Sequence, residues 1–254
     1  MIVSSSKYRI YLILLLLFLL LSGCIFSTTE PEKKENKPQI ISVNISEGQI
    51  FYTRDITVTW KGNDLAEQYQ YTLDGKSYEW TDSTSVLLTE LDEAEHIFSI
   101  QARKDTLFSS LTTINFSIDA IQGPGIIFSP RKIIGISFVS VILEDVSELM
   151  AAHIEIVCSD DSALLTDFTP AGSIGQNGEI VVFTDDSDPR RMIIDAGFAG
   201  ITQGVSGRVD LGYLLVRPLK LTGMVSIDSL NTELRDINNS VIDIYGLDML
   251  RIER

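Results

Sequence analysis

From residue 40 onward the chain alternates. In Ile56-Thr57-Val58-Thr59-Trp60, and again in Phe98-Ser99-Ile100-Gln101-Ala102, apolar side chains fall on every second position. A period of two lines them along one face of a pleated strand, whereas a helix needs a period near 3.6. Short segments of this kind follow one another along most of the chain, separated by Gly, Pro, Asn and Asp. Strands with one apolar face must bury it against a second sheet or close on themselves, so the pattern predicts an all-β molecule. One stretch departs from it. The spacing in "DDSALLTDF" (160–168) predicts a helical turn.

In residues 40–120 the predicted strands are 56–60, 69–80, 85–91, 96–103 and 113–119, among six or seven in all. Within "YQYTLDGKSYEW" (69–80), Tyr69, Tyr71 and Leu73 share a face, Asp74-Gly75 turns the chain, and Tyr78 and Trp80 lie on the return. Asp-Gly suits a two-residue hairpin because both central positions need positive φ. Phe98, Ile100 and Ala102 face the core, with Trp60 and Tyr71 as further members. This density of short strands predicts a β-sandwich. Trp60, Tyr69, Tyr71, Tyr78 and Trp80 also have the composition of a sugar-stacking platform, but a small sandwich core uses the same residues. Several motifs give the segment a resemblance to immunoglobulin-like and fibronectin type III-like modules of bacterial surface proteins, the triple-tyrosine repeat nearest among them. They are W-x-G-x-D (Trp60, Gly62, Asp64), the 69–75 hairpin, Trp80, L-x-x-x-E-H-x-F-x-I-x-A-R (91–103) and the closing "FSID". The resemblance implies a spacer or adhesive role and no reaction.

"DAIQGPGIIFSPRK" (119–132) bridges to a second unit, with a boundary near residue 121. There, "IIGISFVSVIL" (133–143) sets Ile134, Ile136, Phe138 and Ser140 on one side. "MAAHIEIVC" (150–158) sets Ile154, Ile156 and Cys158 against His153 and Glu155, and strands at 178–184, 190–198, 207–219, 223–230 and 238–246 complete the series. Eight or nine strands predict a jelly-roll sandwich. "DVSELMAAHIEI" followed by "CSDDSALLTDF", and then the order of strands and loops to "VIDI", resembles the cohesin domain and its relatives among carbohydrate-binding modules. That resemblance implies capture of a dockerin-like protein partner. The Asn and Asp with which cohesins grip dockerins fall on Ala151 and His153 here, and the Asp-Pro of the turn becomes Asp161-Ser162. The fold is thus expected with an altered recognition face. His153 stands where a hydrogen-bonding group belongs, and Cys158 is expected in the core as a small hydrophobe.

The chain begins with Lys7 and Arg9, then an apolar run at 10–21. Twelve helical residues reach about 18 Å, too short for a bilayer, so the run is expected to be the apolar segment of an export signal. It ends in Leu21-Ser22-Gly23-Cys24, which resembles a bacterial lipobox. The resemblance implies removal of residues 1–23 and lipidation of Cys24, with a second acyl chain making the anchor stable. Residues 24–39 form a polar tether too poor in apolar side chains to fold. Ile25 after the cysteine leans toward the outer membrane or cell surface rather than retention in an inner membrane.

The formal charge is −15, and loss of Lys7 and Arg9 with the leader makes it −17. Residues 40–119 hold 13 acidic and 5 basic side chains, and residues 120–254 hold 19 and 10. Neither half has the basic stripe that a nucleic-acid partner needs. With Cys24 lipidated, Cys158 is the one remaining thiol and no intrachain disulfide can form. His96 and His153 lie in different halves, and no zinc spacing, Walker A, G-x-S-x-G or G-x-G-x-x-G pattern occurs. Asp185, Asp186 and Asp188 could hold a hard cation, but such a run before Pro189 is more often a hydrated turn. The 236–247 stretch opens like a calcium loop but has Val241 and Leu247 where an EF-hand needs glycine and glutamate. The expectation is therefore two tandem β-sandwiches, immunoglobulin/fibronectin III-like (40–120) and cohesin-like (121–254), in a non-enzymatic, lipid-anchored protein of the cell envelope. It needs no metal or cofactor. Its partner is a protein, with polysaccharide binding or a structural envelope role as the alternatives.

Overall fold

The computed structural model describes residues 37–172 and 178–253. Cys24, the leader and most of the tether lie outside the described residues. Those residues contain strands and no α-helix.

Nine strands build the first sandwich: β1 (Ile40–Val43), β2 (Gln49–Phe51), β3 (Ile56–Gly62), β4 (Gln68–Leu73), β5 (Lys76–Ser77), β6 (Ser85–Leu88), β7 (Glu95–Lys104), β8 (Leu107–Phe108) and β9 (Thr112–Ile118). β1-β3-β6 form one sheet, and β2-β9-β7-β4-β5 with β8 form the other. The alternation predicted for Phe98, Ile100 and Ala102 holds, and all three are fully buried. Each large apolar side chain so buried contributes about 1.5–3 kcal/mol. Asp74 and Gly75 have φ of 50° and 79°, the left-handed pair a tight hairpin requires, and Leu73 pairs with Lys76 across them.

Trp60, Tyr69 and Tyr71 lie in the core, packed with Phe98, so they offer no sugar platform. Trp60 Nε1 is buried and without a hydrogen-bond partner among the described residues. Gly62 shows why its place in the Trp60-x-Gly-x-Asp motif is fixed. A Cβ there would meet Ala66 Cβ at 2.4 Å and the Tyr69 hydroxyl at 2.5 Å. His96 is buried against Phe116, held by Asp74 Oδ2 at 2.8 Å and the Asp92 carbonyl at 3.0 Å.

The second sandwich uses β10 (Gly125–Ser129), β11 (Lys132–Ile133), β12 (Ser137–Val157), β13 (Ala163–Pro170), β14 (Glu179–Asp185), β15 (Arg191–Ala199), β16 (Val205–Pro218), β17 (Thr222–Ile227), β18 (Glu233–Asp236), β19 (Val241–Ile242), β20 (Gly246–Leu247) and β21 (Met249–Glu253). Where two strands are predicted at 133–143 and 150–158, the chain runs as β12, 21 residues long. Its first half pairs with β10 and β16, and its second half with β15 and β18. The change of partners falls at two bulges, where Asp145 and Glu148 adopt φ of 51° and 53°. Each bulge inserts a residue and bends the strand. The core residues along β12 therefore step from Leu143 to Val146, Leu149 and Ala152 at intervals of three before alternation resumes at Ile154 and Ile156.

Two expectations are corrected. Residues 160–168 form a turn and then β13, because a bulge between Leu165 and Asp167 puts Ala163, Leu165 and Phe168 all inward. The bridge 119–132 contains β10, whose Ile126, Ile127 and Phe128 are buried. Ile134, Ile136 and Phe138 share one side of the strand pattern, and it faces solvent, while Val139, Val141 and Leu143 fill the core.

Candidate functional site

One face of the second sandwich is unlike an ordinary hydrated sheet. β18, the second half of β12, β15 and β14 lie side by side, and their inward positions are Leu234, Ala152, Ile154, Ile194 and Ala196. Alternation then turns the intervening residues outward in two cross-strand rows. The first row runs Glu233, His153, Asp195, Phe183, and the second runs Arg235, Ala151, Gly197, Val181.

The rows enclose a shallow trough of about 310 Å³. Ala151 and Gly197 make its floor, where the side chains are smallest. Val181 and Phe183 form an apolar wall, and Phe183 is 71% exposed. Arg235 closes the opposite side, paired with Glu233 and donating from Nη1 to the Asn239 carbonyl at 2.7 Å. His153 Nδ1 lies 2.6 Å from Asp195 Oδ1. Next along the same face, Arg191 makes a two-pronged contact with Glu155, Nε to Oε1 at 2.6 Å and Nη2 to Oε2 at 2.7 Å. The carboxylate of Glu155 holds the Arg191 guanidinium above its ordinary range.

Chemically, the trough offers an apolar wall, a cation, carboxylates and an imidazole. The His153–Asp195 pair has the shape of an oriented base, yet the lining contains no serine, threonine or cysteine for it to activate.

Ala151 and His153, singled out in the sequence, are both in the trough. Asp195, Gly197, Val181, Phe183 and Arg235 were not singled out. A signal for two of them was present in "EIVVFT", where Val181 and Phe183 alternate with Ile180 and Val182. Apolar residues on both faces of one strand mark a sheet that is covered on both sides or has an apolar outer face.

Cys158 is buried as expected but has polar neighbours. Its Sγ accepts from the Ala163 amide at 3.2 Å, donates to Asp160 Oδ1 at 3.4 Å and lies 3.3 Å from Ser162 Oγ. Burial pushes the Asp160 carboxyl up, but the Ser162 hydroxyl and amide, the Cys158 thiol and the Lys220 charge outweigh it and hold the group below its ordinary range. The cysteine therefore organises the turn into β13. Asp185 and Asp188 each accept a hydrogen bond from a backbone amide two residues on, at Ser187 and Arg190. The Ser187 hydroxyl and then its amide hold the Asp185 carboxyl below its ordinary range, and the Arg190 amide does the same for Asp188. Among the described residues no group of three His, Cys, Asp or Glu side chains is placed to hold a metal ion.

No protein-family model and no curated relative matches the chain. Solved structures similar to it include cohesin modules. A non-cellulosomal cohesin from the hyperthermophilic archaeon Archaeoglobus fulgidus is 17% identical, with a TM-score of 0.40 over 52% of this chain and 93% of that one. The cohesin module of a Clostridium perfringens family 33 glycoside hydrolase is 12% identical, TM-score 0.41, over 52% and 96%. A type II cohesin domain from the cellulosome of Acetivibrio cellulolyticus is 14% identical, TM-score 0.39, over 51% and 94%.

Proposed function

We propose that this chain is a non-enzymatic, lipid-anchored protein of the cell envelope that captures a protein partner in the trough over Ala151 and Gly197. Cys24 carries the lipid, residues 24–39 are the tether, the sandwich of residues 40–120 is the spacer, and the cohesin-like sandwich of residues 121–254 is the binding head. The observation that carries the reading is the exposed apolar wall of Val181 and Phe183 beside a floor of Ala151 and Gly197. A floor without long side chains lets a partner's backbone approach closely, and exposed apolar groups rimmed by polar ones mark contact surfaces. The sequence resemblance around 150–158 supports the same face.

The test compares the full chain with its Phe183→Asp variant, each immobilised and exposed to host lysate and culture fluid, with calcium and with chelator. A protein held by the native chain and lost from Phe183→Asp supports the trough as the site. Equal retention by both, or none by either, rejects it and leaves glycan binding or a structural envelope role. Anchoring is checked separately: Cys24→Ala is expected to move the protein from the membrane fraction to the soluble one.

A further inference from the structure

Residues Lys37–Arg254 form one compact unit, although they contain two separate hydrophobic cores. What joins the cores is a set of charges concentrated at one turn of the first sandwich, residues 89–94. Glu93 there is 3% exposed at its side chain, and Asp248 from the second sandwich 2%. Between them stands Arg54, with Nη2 3.0 Å from Glu93 Oε1 and 3.8 Å from Asp248 Oδ1. Arg131 Nε donates to both Asp248 oxygens, at 2.7 and 2.9 Å.

The same turn grips the backbone on the far side. Glu93 accepts the amides of Ala120 and Ile121, the start of the connection, at 2.9 and 3.1 Å. Asp92 Oδ1 accepts the Arg131 amide at 3.1 Å, Arg208 Nη1 donates to the Glu93 carbonyl at 3.3 Å, and Arg251 pairs with Glu90. Arginine and carboxylate thus cross the boundary in both directions.

We propose that the 89–94 turn is a latch that fixes the two sandwiches as one rigid body, so that the outer face of the second is held at a set angle to the first. Buried ion pairs add little net stability, because desolvation cancels most of their attraction, but breaking one is costly because it leaves a charge buried and uncompensated. A rotation that parts Arg54 from Asp248 inside the joint strands a charge away from water. The connection is correspondingly short of freedom, since two of its amides are already bound to Glu93. The latch stands or falls independently of any partner at the trough.

Residue-resolved hydrogen exchange on the full chain tests it. In the native protein the Ala120, Ile121 and Arg131 amides are expected to exchange as slowly as those of the core strands β7 and β12. In Asp248→Ala, these three are expected to exchange about tenfold faster or more while β7 and the Ile154–Ile156 end of β12 keep their protection. Native amides at 120, 121 and 131 exchanging at the rate of a free linker would overturn the latch. So would unchanged protection in the variant. If Asp248→Ala loses protection throughout, Arg54→Lys decides. It keeps the charge but not the forked donor, and faster exchange confined to the three amides supports the latch whereas no change rejects it.

Discussion

The joint between the sandwiches and the trough on the second one are built from the same kinds of side chain. Each sets cationic groups against carboxylates across strands or turns. They differ in water. Glu93 and Asp248 have almost no exposed surface, whereas His153 and Asp195 are 44% and 57% exposed at their side chains. Parting a buried charge from its partner leaves it uncompensated and away from water, so the joint's groups favour one arrangement. An exposed pair exchanges its partner for water at little cost, so the trough's groups remain available to a newcomer. The same chemistry is shut away from water in one place and open to it in the other.

The largest effect should come from breaking the buried set. Glu93→Ala removes the nearer of the two carboxylates that face Arg54 and the acceptor for the Ala120 and Ile121 amides in one step. It is expected to destabilise the protein by about 3–5 kcal/mol, the range for stranding one member of a buried pair. Urea denaturation of the full chain checks this. A loss below about 1 kcal/mol would mean that water enters the joint freely, and the contrast with the trough would disappear.

The sequence showed the first sandwich more clearly than the second, for a local reason. Phe98-x-Ile100-x-Ala102 and Asp74-Gly75 report their structure within a few residues, because alternation and turn chemistry act at that range. In the second sandwich, bulges break the period. Ala163, Leu165 and Phe168 acquire a spacing that imitates a helix, and the steps of three along β12 hide a continuous strand. Asp145 and Glu148 set those bulges without the glycine that would have advertised positive φ. The joint was the least legible part. "LDEAEH" has the composition of a solvated loop, and what buries Glu93 and Asp92 lies in Arg54, Arg131 and Asp248, far away along the chain. Of the trough, Ala151 and His153 were visible by resemblance, while Asp195 and Gly197 become neighbours only through the β12–β15 register.

Acidity separates the two kinds of site further. Burial holds the Asp92 carboxyl above its ordinary range, against the Arg131 amide and the His96 and Arg131 charges and with a push from Asp248. A folded-state pKa above the unfolded one gives a contribution fully present below the unfolded value and lost as pH rises through the folded one. At neutral pH the ionised Asp92 therefore costs stability. Asp92→Asn keeps an oxygen for the Arg131 amide and should raise neutral-pH stability by under about 1 kcal/mol, after allowance for solvent screening. Urea midpoints for both proteins should converge as the pH falls below the usual aspartate value. Exposed Asp185 and Asp188, lowered by hydrogen bonds from Ser187 (hydroxyl, then amide) and from the Arg190 amide, carry the opposite sign: their contribution is present above the unfolded pKa and fades as pH falls through the folded one. A variant gap that widened in acid would reverse the assignment for Asp92.

The smallest change in stability is expected where the functional consequence is sharpest. Asp195→Asn removes one charge from the Glu233–His153–Asp195 row and leaves Phe183, its neighbour on β14, in place. Because both members of the His153–Asp195 pair are open to water, the loss in folding stability should stay below about 1 kcal/mol. Retention of a partner at the trough should nevertheless fall, since a contact formed there must dehydrate the row and then depends on its charges. Measuring urea stability and partner retention on the same sample separates the two roles. A stability loss as large as that of Glu93→Ala would make the row a structural element like the joint. Unchanged retention together with unchanged stability would confine recognition to the apolar wall of Val181 and Phe183.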